Sequence, residues 1–304
     1  MQALVTGGAG FIGSHLARQL AEQGHEVTVL DDGSTGDLDQ LPTHIDTIEG
    51  DVREGGTVLQ ALDHIDVVFH QAGLVSVERS IRTPHESHAI NVTGTMNVLE
   101  AALIKDTRVV VASSAAIYGQ PEVVPIEESH PKRPTSPYGL DKLTADHYTR
   151  LYHDLYDLET VALRYFNVYG VGQTAGDYTG VIRVFIEQAL NDEPITVHGD
   201  GEQTRDFIHV DDVVRANLLA AETDHVGEAY NIATGKETSI RELAELIQEV
   251  TDTDSDIVHV EEREGDIERS VADIEKARES LDYDPEVSLH EGLERTIEWF
   301  ESNE

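Results

Sequence analysis

The chain has 304 residues, enough to bury a substantial core as one large α/β unit or as two units sharing a cleft. Its 59 acidic residues against 21 lysines and arginines give a formal net charge of −38, which argues against nucleic acid and anionic membranes as partners. The absence of cysteine excludes disulfides and thiolate metal centres, and the 15 histidines are scattered without metal-ligand spacing, so no metal is expected and His85, His88, His147 and His153 read as surface residues.

The first predicted strand, Gln2 to Thr6, is a short apolar run. It enters Thr6-Gly7-Gly8-Ala9-Gly10-Phe11-Ile12-Gly13, and a helix follows with Ile12, Leu16, Ala17 and Leu20 on one face. Gly7 and Gly8 are expected to take φ > 0, Gly10 to let the backbone approach a pyrophosphate, and Gly13 to seat the helix on the sheet. The N–H groups that open the helix, at Phe11 and Ile12, then face the phosphates together with the positive end of the helix dipole. An ordinary strand-to-helix turn can also produce such a glycine triplet; its position between an apolar strand and an amphipathic helix favours a dinucleotide. The next run, Val27 to Leu30, ends in Asp31, eighteen positions after Gly13. A carboxylate there accepts the ribose hydroxyls and repels a 2′-phosphate, which reads as NAD rather than NADP, the alternative being a solvated loop acid beside Asp32.

Further strands are predicted at Asp46 to Glu49, Val67 to His70, Arg108 to Ala112 and Thr160 to Arg164, with helices at Gly55 to Leu62, Ser87 to Ala102 and Tyr138 to Leu155 between them. This alternation predicts a doubly wound parallel sheet of the Rossmann kind, with ligands at the carboxyl ends of its strands. Beyond Arg164 the rhythm loosens, with loops at Gly170 to Gly180 and His198 to Gly201. Asp206 to Ala221 and Ala229 to Ile232 read as sheet-forming or sheet-packing, and helices are expected at Ile240 to Val250 and Leu289 to Phe300. The expected division is a dinucleotide-binding domain over residues 1–170, to which 206–235 returns, and a smaller substrate-binding lobe from 171–205 and 236–304.

Tyr138 and Lys142 stand four apart at a helix start, hence on one face. A lysine cation favours the phenolate and lowers a pKa that starts near 10, which suits a general base for a sugar hydroxyl. The Tyr-x-x-x-Lys spacing also arises by chance. It gains weight from Val109-Val110-Val111-Ala112, a strand ending in Ser113-Ser114 and so placing a hydroxyl at the tip of a central strand.

With these residues in view, the sequence resembles the extended short-chain dehydrogenase/reductase family, and within it the nucleotide-sugar epimerases similar to UDP-glucose 4-epimerase. The motifs run in order through nearly the whole chain: Thr6 to Gly13, Asp31, Asp51-Val52, His70 to Gly73, Asn91, Ser113 to Gly119, Ser136 to Lys142, Leu163 to Gly170 and Thr204 to Val210. The resemblance implies Tyr138 as base, Lys142 as its partner and nicotinamide-ribose ligand, and Ser114 as the hydroxyl aligning the reacting sugar oxygen. It implies that Asp51 and Val52 flank the adenine, that Asn91 supports the cofactor side of the site, and that Asn167, Arg205, Arg263 and Asp266 hold the nucleotide-sugar, the two arginines by its diphosphate.

The reaction implied is NAD-dependent 4-epimerisation of a UDP-hexose, UDP-glucose or UDP-galactose, through a transient 4-keto sugar that turns about its diphosphate tether. Ala115-Ala116 stands where dehydratases of the family carry an acid pair, so elimination of water is disfavoured. Ser270, seven beyond Arg263, stands at a gatekeeper position where a small residue leaves room for a 2-acetamido group; the alternative is an ordinary polar residue before a strand. Competing readings are a UDP-glucuronate 4-epimerase or decarboxylase, which would want a further cation at the sugar C6, and a non-enzymatic NAD sensor. A homodimer built from the helices near Thr95 to Ala102 and Tyr138 to Leu155 is implied as well. The net charge points to a salt-rich, halophilic cytoplasm, because self-repulsion of this size calls for screening. The opening residues enter a strand directly and no apolar run is long enough to span a bilayer, which reads as cytoplasmic.

Overall fold

The structure, a computed structural model, describes residues 1–173, 180–263 and 265–303. In chain order come β1 (Gln2–Thr6), α1 (Phe11–Glu22), β2 (Glu26–Asp31), β3 (Asp46–Glu49), α2 (Gly55–Ala61) and β4 (Val67–His70). Short helices α3 (Val77–Arg82) and α4 (Pro84–His88) lead to α5 (Gly94–Lys105), β5 (Arg108–Ser114), α6 (Pro137–Tyr156) and β6 (Thr160–Tyr165). The second half contains β7 (Asn167–Tyr169), α7 (Val181–Leu190), β8 (Ile195–His198), β9 (Thr204–Arg205), β10 (Phe207–His209), α8 (Val210–Glu222) and β11 (Glu228–Ile232). It closes with β12 (Thr238–Ser239), α9 (Ile240–Thr251), β13 (Ile257–Val260), α10 (Glu275–Leu281) and α11 (Leu289–Asn303).

Seven strands pair in the order β3-β2-β1-β4-β5-β6-β11, every pair parallel, which is the doubly wound sheet expected from the alternation. The strands are apolar on both faces because both faces are covered. Ala3, Val5, Val29, Phe69 and Val110 face a core closed by Leu16 and Leu20 of α1 and Val213 and Ala216 of α8. Their neighbours Leu4, Leu30, Val68, Val109 and Val111 face the opposite core, closed by Val58 of α2, Val98 and Leu99 of α5 and Tyr152 of α6. Strand order reverses between β1 and β4, so the crevice that such a sheet offers a ligand opens at the carboxyl ends of those two strands.

A separate apolar cluster joins Phe185 and Ile186 of α7, Val197 of β8, Leu243 and Ile247 of α9, and Leu293 and Ile297 of α11. Helix α9 opens with a capping box, Ser239 Oγ accepting from Glu242 N at 3.1 Å while the Glu242 carboxylate accepts from Ser239 N at 2.8 Å.

Three details refine the expected elements. Asp206 to Ala221, read as sheet-forming or sheet-packing, is both: the three-residue strand β10 followed by helix α8, whose β-branched valines are buried because the helix packs on both α1 and the sheet. The helix expected from Ser87 is interrupted by a π-helical turn over residues 89–93, which separates α4 from α5. After the smaller cluster begins, Ala277 and Leu281 of α10 and the following Tyr283 pack back into the core beneath α8. Of the loop expected at Gly170 to Gly180, residues 174–179 lie outside the described residues.

Candidate active site

The glycine turn sits at the crevice. Gly7 takes φ +68°, and a Cβ there would stand 2.6 Å from Ala72 N, in the segment that leaves β4. Gly8, expected to share the positive φ, does not; what it needs is space, since a Cβ would stand 2.6 Å from Val29 Cγ2. At Gly13 a Cβ would meet Gly7 O at 2.1 Å, so only glycine lets α1 rise this close to the turn. Gly10 is the N-cap of α1, and among the described residues no side chain caps its first N–H groups, at Phe11 and Ile12. Asp31 ties this turn to the tip of β2, its Oδ2 accepting from Ala9 N at 3.0 Å and its Oδ1 from Gly33 N at 2.9 Å. Beyond β3, Gly50 N donates to Asp31 O at 2.9 Å, which brings Asp51 and Val52 alongside. The Arg53 guanidinium, with Nε 2.7 Å from Asp51 Oδ2, holds that carboxyl below its usual range, and Val52 is buried with its carbonyl accepting from Asn97 Nδ2 at 2.9 Å.

Helix α6 begins against the end of β5. Ser136 caps it by accepting from Gly139 N at 3.1 Å, Pro137 occupies the first turn, and a Cβ on Gly139 would stand 2.7 Å from Ala116 O in the turn after β5. Ser114 ends β5 with its Oγ accepting from Ala116 N at 3.2 Å. Lys142, one turn past Tyr138, is 6% exposed, and its Nζ donates to Ala112 O on β5 at 2.9 Å. Burial pulls the Lys142 ammonium down to about 8, Asp141 acting in the opposite direction. Ser114, the Lys142 ammonium and the start of α6 that carries Tyr138 thus lie at the carboxyl end of one central strand. Asn91, on the π-helical turn, accepts from Leu74 N at 2.9 Å and donates to Leu74 O at 3.0 Å, pinning the segment that leaves β4. It also borders Lys142: a Cβ on Gly73 would lie 2.9 Å from Asn91 Oδ1 and 3.2 Å from Lys142 Nζ.

The residues expected around the substrate divide. Asn167 Nδ2 donates to Asp206 O at 3.2 Å, and Ser270, buried, donates its backbone N–H to Thr204 O at 3.2 Å. Arg205 is ion-paired with Asp266 and donates to Ile267 O at 2.5 Å, so its fork braces the 265–267 turn. Arg263 opens that turn, its carbonyl accepting from Asp266 N at 3.2 Å, with its own side chain exposed. His85, His88 and His147 are exposed, whereas His153 is half-buried, its ring against Gly227 and its Nδ1 3.0 Å from Leu158 O.

Other buried polar groups, some of them within the motifs named above, have no role assigned from the sequence. His70 bridges two hydroxyls, Thr6 Oγ1 at 2.7 Å and Thr95 Oγ1 at 3.0 Å, and burial together with Lys142 pushes it down to about 3, so it is neutral. Arg164 pairs with Asp146 at 2.8 Å, and Ser113 Oγ donates to the same carboxylate at 3.1 Å, locking α6 to β5 and β6. Ser80 of α3 accepts from Tyr138 N at 3.1 Å. Beyond their place in those motifs, the signal is that His70, Ser113 and Arg164 are polar residues in largely apolar strands.

Among the described residues no three His, Asp or Glu side chains are grouped to ligate a metal, and no helix is long and apolar enough to cross a membrane. Residues 3–233 match the model of the NAD dependent epimerase/dehydratase family. The chain is similar to the UDP-glucose 4-epimerase of Thermotoga maritima crystallised with UDP-glucose, with 38% identity and a TM-score of 0.96 over 100% of this chain and 99% of that one. It is similar as well to the UDP-N-acetylglucosamine 4-epimerase of Methanobrevibacter ruminantium in complex with UDP-N-acetylmuramic acid, with 36% identity and a TM-score of 0.95 over 100% and 99% of the two chains. The UDP-glucose 4-epimerase of Thermus thermophilus in complex with NAD aligns at 36% identity and a TM-score of 0.91, covering 99% of each chain.

Proposed function

The chain belongs to the NAD dependent epimerase/dehydratase family as an NAD-dependent epimerase, and we propose that it interconverts UDP-glucose and UDP-galactose by inversion at C4. The observation that carries this reading is Lys142, buried on the same face of α6 as Tyr138 and anchored to the end of β5 through Ala112 O. The glycine cradle fits a dinucleotide: Gly7 and Gly13 leave no room for a Cβ, and the uncapped start of α1 faces the same crevice as Asp31. Gly7, Gly10, Gly13 and the N–H groups of Phe11 and Ile12 would hold the pyrophosphate, Asp31 the adenosine ribose, and Asp51 and Val52 the adenine. When bound, NAD supplies a hydride acceptor that later returns the hydride.

Tyr138 removes the proton from the C4 hydroxyl as that carbon is oxidised, and gives it back when the carbon is reduced from its other face. The Lys142 cation lowers the cost of the phenolate, and the Ser114 hydroxyl orients the sugar oxygen. Asn167 and Arg263 hold the nucleotide-sugar, with Arg205 and Asp266 shaping the turn beneath it. Ser270 leaves space for a 2-acetamido group, so UDP-N-acetylhexosamines are further substrates; the Methanobrevibacter relative acts on such a sugar. Exposed Ile104, Leu140, Leu151 and Leu155 on α5 and α6 support a homodimer through those helices, which light scattering of Leu151→Asp, monomeric on this reading, tests. Incubating the protein with UDP-galactose in molar KCl and following the anomeric protons by NMR tests the reaction. No conversion by folded protein supplied with NAD overturns it.

A further inference from the structure

Helix α6 carries a third buried ionisable group that the proposed chemistry does not use, Asp141. Its side chain is 7% exposed and both carboxylate oxygens are engaged from α4: Ser87 Oγ donates to Oδ2 at 2.6 Å, and His88 Nδ1 lies 3.2 Å from Oδ1. An ionised carboxylate only accepts, so the single hydroxyl proton of Ser87 is committed to Asp141 and its oxygen is left to accept from Asn91 Nδ2, 3.4 Å away. That assignment agrees with the Leu74 contacts of the same amide and turns the Asn91 carbonyl toward Gly73, where Asn91 Oδ1 and Lys142 Nζ border one point. One hydrogen-bond polarity therefore runs from Asn91 through Ser87 to Asp141, and the Asn91 carbonyl it orients borders the same Gly73 position as the lysine ammonium.

Charge points the same way. Lys142 is buried with a neutral carbonyl, Ala112 O, as its hydrogen-bond acceptor, and a buried ammonium sheds its proton unless an anion stands near. His70, facing it from β4, is neutral. The Arg79–Glu86 pair between α3 and α4 compensates itself, and His88 lies on the solvent side of Asp141 with its side chain 60% exposed. Among the described residues, Asp141 is the anion that opposes the burial of Lys142.

Building on the catalytic reading above, we propose that Asp141 is a positioning residue: its buried carboxylate is the counter-charge that keeps Lys142 an ammonium, and through Ser87 it fixes the orientation of Asn91.

With only five lysines in the chain, the titration of Lys142 can be followed directly by NMR of 13C- and 15N-labelled lysine, the signal being assigned by its loss in Lys142→Arg. Asp141→Asn is expected to move that titration down from about 8 by about one unit or more, and Asp141→Glu to restore it. In parallel, the alkaline limb of the kcat profile moves down by the same interval with KM unchanged, so that turnover is near normal at pH 6 and falls about tenfold by pH 8. Should Asp141→Asn fail to fold, Ser87→Ala keeps the charge and removes the hydroxyl; kcat then falls at every pH while Lys142 titrates as in the wild type. An unmoved Lys142 titration in folded Asp141→Asn, or a Lys142 titration displaced downward in Ser87→Ala, overturns the proposal. A displaced titration in a protein without turnover leaves the proposal standing and refutes the epimerase reading instead.

Discussion

Replacing Lys142 with methionine keeps the volume of the side chain and removes its charge. The ammonium is held at about 8 against an ordinary 10.5 because it is buried, a displacement worth about 3 kcal/mol. Below pH 8 both folded and unfolded chains carry the proton, and the folded state bears the whole penalty. Between pH 8 and 10.5 the unfolded chain keeps a proton that the folded chain has lost, so stability attributable to this group rises with pH. Lys142→Met escapes the penalty but leaves Ala112 O without its partner, a loss of about 1 kcal/mol. The variant should therefore be more stable than the wild type by about 2 kcal/mol at pH 7, with the advantage fading and reversing by pH 10.5, while kcat falls by about 10²- to 10⁴-fold. Urea unfolding of both proteins at several pH values in molar KCl measures the difference. A difference that stays constant from pH 7 to 10.5 would mean that Lys142 titrates alike in the folded and unfolded states, contrary to this expectation.

Three further outcomes are expected. His70, lowered from 6.5 to about 3, contributes stability that is fully present above pH 6.5 and is lost as pH falls toward 3; His70→Gln should flatten the acid limb of a stability-against-pH curve, and an unchanged limb would contradict this. Gly13→Ala places a Cβ 2.1 Å from Gly7 O, so the turn must shift; NAD binding measured by calorimetry should weaken at least tenfold, and retained affinity would remove the cradle from the account. Ser270→Tyr should lower turnover of UDP-N-acetylglucosamine relative to UDP-glucose several-fold in competition assays, and an unchanged ratio would discard Ser270 as a specificity residue.

What could be read from the sequence was whatever local chemistry dictates. The strand, glycine turn and helix from Gln2 to Leu20 declare themselves because Gly7 and Gly13 leave no alternative side chain. Gly8 shows the limit of such reading: its requirement is clearance from Val29, a residue on another strand, rather than a backbone angle of its own. Helix α8 was obscured because it is buried both by α1 and by the sheet, so Val213, Val214 and Ala216 blur the one-faced pattern that marks a surface helix. The π-helical turn that places Asn91 depends on its bonds to Leu74, seventeen residues away, and has no local signature. Likewise the pairing of Arg205 with Asp266 joins residues 61 positions apart and has no local signature; what the resemblance implies for Arg205 is a place beside a diphosphate.

The most direct test compares wild type and Tyr138→Phe, each folded and each given UDP-galactose in molar KCl, with the anomeric proton signals followed over time. The wild type should produce UDP-glucose until the two epimers reach equilibrium, and the phenylalanine variant should bind the nucleotide-sugar yet convert it at least 10²-fold more slowly. Equal rates in the two proteins would show that the phenol is not the base, and the arrangement of Tyr138, Lys142 and Ser114 at the end of β5 would need a different chemistry.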